Sequence, residues 1–168
     1  FINSEDLTLK NNYEYVKSQI DIKNFILYNL TNIYIGNNDW PGNNRKFWKG
    51  KNGKWRWILF DTDFAFGLES GHDYSFNSLK YATDKNCTSP SCRNKPWSTV
   101  YLRKLLENNI FKDQFINHLA DEMNSRFLPD NIKLILQSTH DLISSEIDSH
   151  YKRWNWNPSR AVTYLNSM

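Results

Sequence analysis

Nowhere in the 168 residues does an apolar run approach the roughly 20 residues that cross a bilayer. No membrane span is therefore expected, and no signal-peptide core opens the chain. Charge of one sign is also scarce: 21 Lys+Arg against 18 Asp+Glu leave a formal +3, too mild and too dispersed to point to nucleic acid. Cysteine is limited to Cys87 and Cys92, in the run Cys87-Thr-Ser-Pro-Ser-Cys92. That spacing either closes a small disulfide loop, which implies an oxidising compartment, or leaves two thiols in a surface loop. Zinc is disfavoured, because only the distant His72 could add a ligand. No internal repeat is present.

What the chain does have is aromatic bulk, with 7 Trp, 9 Tyr and 10 Phe. Each such ring buries roughly 150–250 Å², so a core can form although hydrophobic residues reach only 39%. Asn is unusually common, at 22 residues. The length suits one domain. The chain starts at Phe1 rather than Met, and Thr163 to Met168 read as helix; both suggest a piece of something longer.

A short helix is expected around Asn12–Lys17. From Ser18 or Asp21, apolar residues Ile22, Phe25, Ile26, Leu30, Ile33 and Tyr34 recur at three- and four-residue steps, predicting an amphipathic helix that ends at Gly36. A polar loop broken by Pro41-Gly42 follows. Residues 45–48 and 55–60 read as strands of an antiparallel hairpin around Asn52-Gly53. Within it, Trp55 and Trp57 share one face and are expected to pack, with Arg56 pointing the other way. Residues 61–97 show no clear periodicity. Three helices are expected beyond: one capped by Ser98, one carrying Phe111, Phe115, Leu119 and Met123, and one from Ile132 to Tyr151 with Pro129 just before it. The fold class is α+β, mainly α.

Acidic residues gather at the hairpin. Asp39 lies in the loop after the first long helix, with Asn44 five residues on, where a strand begins. Asp61-Thr-Asp63 follows the apolar strand ending at Phe60. Because a hairpin returns the end of its second strand to the start of its first, Asp61 falls beside Asp39 and Asn44. Converging carboxylate and amide oxygens suit Mg²⁺. The order Asp-x4-Asn, hairpin, Asp is also that of the kinase catalytic loop and metal-binding Asp. Taken singly, each of these residues fits ordinary turn chemistry. A haloacid-dehalogenase reading of Asp61-Thr-Asp63 fails on its hairpin context and on Ala65. Of the four histidines, His118 is expected to be half-buried, and His72 could approach the site. Arg103, Lys104 and Glu107 read as a solvated helix face.

The run Asp39-Trp-Pro-Gly-Asn-Asn-Arg-Lys-Phe-Trp48, followed by Lys54-Trp-Arg-Trp-Ile-Leu-Phe-Asp-Thr-Asp-Phe-Ala-Phe-Gly67, resembles the CotH family of spore-coat-protein-H-like atypical protein kinases. The likeness extends back to Asn12-Tyr-Glu-Tyr-Val-Lys17 and continues weakly into the helical tail. It implies a kinase-like C-terminal lobe over residues 1–168, bacterial, at a spore coat or cell surface. It further implies use of ATP with Mg²⁺ or Mn²⁺ to phosphorylate Ser on protein substrates. By resemblance Asp39 is the catalytic Asp, Asn44 a metal ligand and Asp61 the second, with Asp63 competing for that place. No Gly-rich phosphate loop precedes residue 18, and Lys10 and Lys17 lie in the wrong context for a phosphate-pairing Lys. The expectation is therefore a lobe that lacks its N-terminal partner and is inactive alone. The alternative is a non-catalytic surface or spore-coat scaffold that binds glycan. Its aromatics would be Trp154 and Trp156, expected half exposed, while Trp40, Phe47, Trp48, Phe64 and Phe66 fall around the acidic cluster.

Overall fold

The apolar steps after Asp21 do form a helix, in a computed structural model that describes residues 1–68 and 74–155. Helix α2 (Ile22–Tyr34) begins where the Asp21 carboxylate accepts the Asn24 N–H at 3.1 Å, satisfying one of the orphan donors of a first turn. It ends before Gly36, whose φ of +64° is a left-handed conformation available to glycine without a Cβ clash. Phe25, Ile26, Tyr28 and Leu30 face the core. The buried Asn29 and Asn32 amides donate to the carbonyls of Phe25 and Tyr28, so neither is left unpaired in the interior.

Helix α1 (Lys10–Gln19) is longer than the expected Asn12–Lys17. Its end is stitched to the hairpin: the Trp55 N–H donates to Gln19 C=O at 2.8 Å, and the Asp21 N–H donates to Trp55 C=O at 3.0 Å. The hairpin is antiparallel as expected. Strands β1 (Lys46–Trp48) and β2 (Arg56–Ile58) pair Lys46 with Ile58, Phe47 with Trp57 and Trp48 with Arg56. The reversal closes with Gly53 N–H donating to Gly50 C=O at 3.0 Å. Trp57 packs inward against Phe25, with ring centroids 4.7 Å apart, and both backbone groups of Trp57 bond the Asn24 side chain of α2. Arg56 points the other way and pairs with Asp21 at 3.3 Å. Trp55 packs as well, on Phe47, with ring centroids 5.4 Å apart. It is more exposed, 38% against 7% for Trp57, and its backbone bridges Ile20.

The stretch expected to lack periodicity contains α3 (Ser78–Thr83), capped by Asn77. Six residues are under two turns, too few to write a 3.6-residue pattern. Helix α4 (Pro96–Leu106) corrects the expected cap: Lys95 occupies the N-cap and Pro96 the first turn. Ser98 sits inside that turn and donates back to Lys95 C=O, since proline's fixed φ and missing N–H suit the first helical position. Arg103 turns along the helix to Thr99 and Pro96, whereas Lys104 pairs with Glu107 as expected. Helix α5 (Asn109–Met123) is preceded by buried Asn108, which accepts from Phe111 N–H and donates to Leu7 C=O. His118 is half-buried. Cys87 and Cys92 form a disulfide with Cα atoms 5.7 Å apart.

Two compact units result, residues 1–118 and 119–168. The first holds the hairpin, α1 to α4 and a core that includes Leu7, Tyr13, Phe25, Leu30, Leu105 and Phe111. In the second, α6 (Pro129–Trp154) starts three residues before the expected Ile132 and buries none of its described side chains. Trp154 is 57% exposed, while His72, Trp156 and residues 163–168 lie outside the described residues. The architecture is mainly α with one small antiparallel sheet.

Candidate active site

The loop from α2 to β1 is built on asparagines. Buried Asn37 donates from its side chain to Asn32 Oδ1 at 2.9 Å and accepts the Asp39 N–H at 3.1 Å. Asn38 N–H donates to Phe64 C=O at 3.1 Å, and Phe66 N–H to Ile35 C=O at 2.7 Å. The segment after β2 is thereby tied to the end of α2, beside the loop. Trp40 is buried edge-on to Tyr28, so this ring belongs to the core rather than to the site's surface. Burial pushes the Tyr28 hydroxyl up to about 12.

On this frame the Asp39 carboxylate accepts from Asn43 Nδ2 and from Asn44 Nδ2, each at 2.9 Å. The same Asn44 nitrogen lies 3.4 Å from the Asp61 carbonyl oxygen. One amide thus spans both ends of the hairpin. Asn44 and Asp61 both have left-handed backbones, with φ of 49° and 52°, as does Phe66 at 51°. Asn and Asp tolerate this region better than other non-glycine residues. Such conformations cluster where neighbouring structure imposes a particular side-chain direction.

Electrostatics place the acids together. The Asp61 carboxyl is raised above its ordinary value, first by desolvation, then by its hydrogen bond to Asp63 and the negative charges of Asp63 and Asp39, with Lys46 pulling the other way. The Asn44 amide links Asp39 to the Asp61 backbone, and Asp63 lies near enough to Asp61 to act on its carboxyl. Among the described residues, no group of three or more His, Cys, Asp or Glu side chains is arranged to hold a metal by itself. The donors here are carboxylates and an amide, the oxygen chemistry of Mg²⁺ or Mn²⁺ rather than zinc. Mg²⁺ sites of this kind take only one or two protein carboxylates and complete themselves with phosphate oxygens and water. In donor chemistry alone, carboxylate and amide oxygens are the kind such an ion takes. A groove of about 510 Å³ between α2 and β2, lined by Asn24, Leu27, Tyr28 and Arg56 among others, contains none of these acids.

Sequence reasoning missed the residues that hold the loop from behind. Asn94, 0% exposed, accepts the Gly42 N–H at 2.9 Å and donates to the carbonyls of Trp40 and Tyr81 at 3.2 and 3.1 Å. Arg93 donates to Asn38 Oδ1 at 3.2 Å, and the Tyr81 hydroxyl to Asn38 C=O at 2.7 Å. These side chains sit 43 to 55 positions along the chain from the loop atoms they bind. No local pattern marks them.

A helical lobe whose hairpin joins an Asp-x4-Asn loop to a strand-end Asp has the element order of a protein-kinase catalytic loop and metal-binding segment. Residues 1–166 match the model of the family described as CotH kinase protein, and the chain belongs to that family. No curated protein and no solved structure is significantly similar to it.

Proposed function

We propose that the chain is the C-terminal lobe of an ATP- and metal-dependent protein Ser kinase of the CotH type. The observation that carries this reading is the Asn44 amide, which links Asp39 to the Asp61 backbone across the hairpin. Asp39 accepts a hydrogen bond from the acceptor Ser hydroxyl, aims its oxygen and takes its proton. Asn44 and Asp61 would hold Mg²⁺ or Mn²⁺, with Asp63 beside them. When bound, the ion neutralises charge on the phosphates. The Asp61 carboxyl is raised chiefly by desolvation, and also by its hydrogen bond to Asp63 and the charges of Asp63 and Asp39. It is compatible with this assignment, because a cation would offset that repulsion.

A kinase also needs a phosphate-covering loop and a Lys–Glu pair; no Gly-rich loop precedes residue 18, and Lys10 and Lys17 both lie on α1. The polypeptide by itself is therefore expected to transfer no phosphate, its partner being an N-terminal lobe. The Cys87–Cys92 disulfide favours an oxidising, extracytoplasmic setting such as a spore coat or bacterial cell surface.

The test is Mn²⁺ titration followed by electron paramagnetic resonance. Wild type should bind, and Asp61→Asn should bind at least tenfold more weakly. Equal binding by the two would refute the assignment. Asp39-dependent incorporation of labelled phosphate by this polypeptide alone would refute its inactivity.

A second reading rests on the hairpin's outer aromatics, of which Phe47 and Trp48 are about half exposed. They suit a non-catalytic scaffold that stacks on sugar rings. Polysaccharide pull-down retained by both Asp39→Ala and Asp61→Ala would favour it.

A further inference from the structure

Residues 84–95 contain no helix or strand, yet they deliver the side chains that grip the loop carrying Asp39. Asn94 saturates its amide on that loop and on α3: its oxygen takes Gly42 N–H, and its nitrogen gives to Trp40 and Tyr81. Arg93 adds the bond to Asn38 Oδ1. The approach is so close that a Cβ placed on Gly42 would meet Arg93 O at 2.1 Å. A chain segment without regular structure keeps its side chains in register only if its own freedom is limited.

Longer ties on residues 84–95 include Thr99 Oγ1 donating to Asp84 C=O and the Arg93 guanidinium over the Phe64 ring, and several others are short-range. Thr88 N–H donates to Asn86 C=O, Cys92 N–H to Ser89 C=O, and the Lys95 ammonium to Ser89 C=O. The Cys87–Cys92 bond is the covalent one, directly preceding the two gripping residues. Both cysteines are half-buried and flank the exposed stretch Thr88 to Ser91, so a small dithiol can reach them.

We propose that the disulfide-closed segment is a redox-dependent lock on the Asp39 loop, with Asn94 as its positioning residue. The functional half of this proposal rests on the kinase reading above. Opening the lock is ordinary thiol–disulfide exchange. A dithiol reductant gives two electrons and two protons, the Cys87–Cys92 bond becomes two thiols, and the reductant closes to its own disulfide. The freed segment then samples more conformations, Asn94 loses its register with Gly42 N–H, and the Asp39–Asn44 geometry loosens.

Amide hydrogen exchange and Mn²⁺ affinity, measured on the same samples, test the lock. The samples are wild type with and without dithiothreitol, Cys87→Ser/Cys92→Ser, Asn94→Ala and Gly42→Ala. Reduction and each variant should raise exchange of amides 38–44 at least tenfold, Gly42 first. The amides of α2 and of the β1–β2 ladder should stay as they were, which separates positioning from general destabilisation. Mn²⁺ affinity should fall about tenfold in step.

Loop exchange unmoved by reduction and by the double Ser variant overturns the lock. Loosening without any change in Mn²⁺ affinity overturns its link to the site. Absence of Mn²⁺ binding by oxidised wild type overturns the kinase reading instead, and loop exchange still decides the lock.

Discussion

At one end of the hairpin the site residues hang from buried anchors, Asn37, Asn38 and Trp40, each at most 2% exposed. At the other end Asp61 and Asp63 stand in solvent, and charge repulsion helps raise the Asp61 carboxyl. The two halves illustrate different demands. The Asp39 loop is fastened through hydrogen bonds to buried Asn side chains, although among the described residues Asn38 Nδ2 and Trp40 Nε1 are buried without a hydrogen-bond partner. On the proposed reading Asp61 would need access to a hydrated cation, and nearby negative charge would favour the ion.

Breaking the anchored half should cost most. Trp40→Ala removes a buried ring from against Tyr28 and should lower unfolding free energy by about 3–5 kcal/mol in urea denaturation. A loss below about 1 kcal/mol would show that the loop is not anchored there. Asn37→Ala leaves Asn32 Oδ1 and the Asp39 N–H without their buried partner, and should cost about 1–3 kcal/mol by the same measurement.

The exposed half should respond more weakly and in the opposite sense. Asp61→Asn should raise Tm slightly at pH 7. The sign follows from linkage: a carboxyl raised above 3.8 in the fold favours the protonated folded state. Its favourable contribution is present below 3.8 and is lost as pH climbs through the raised folded value. The difference between variant and wild type should therefore open over that interval and level off above it; a Tm difference constant from pH 3 to 8 would exclude the repulsion. The smallest effect belongs to Asp63→Asn. It should move the Asp61 titration down toward its ordinary value, read by carboxyl-carbon NMR, while stability stays within about 0.5 kcal/mol.

The readable part of the chain was the part with local cause. Helix α2 announces itself through apolar spacing, the Asp21 cap and Gly36. The hairpin follows from aromatic strands around a glycine turn, and it alone predicts that Asp61 returns to Asp39 and Asn44. Helix α3 was too short for periodicity, and Ser98 lost the cap to Lys95 because Pro96, two residues before it, takes the first helical position. Trp55 and Trp57 obey the same two-residue period and both pack on Phe47, yet only Trp57 reaches the core against Phe25.

Sequence by itself determined which polar residues meet across the hairpin, because spacing across a hairpin is a local geometric consequence of strand pairing. Only tertiary structure decided what holds them. Asn94, Arg93 and Tyr81 reach the loop through folding, and a hydrogen bond across so long a separation leaves no period or spacing in the chain. It also decided between the open alternatives for Cys87 and Cys92, since closing a disulfide depends on two Cα atoms meeting within reach.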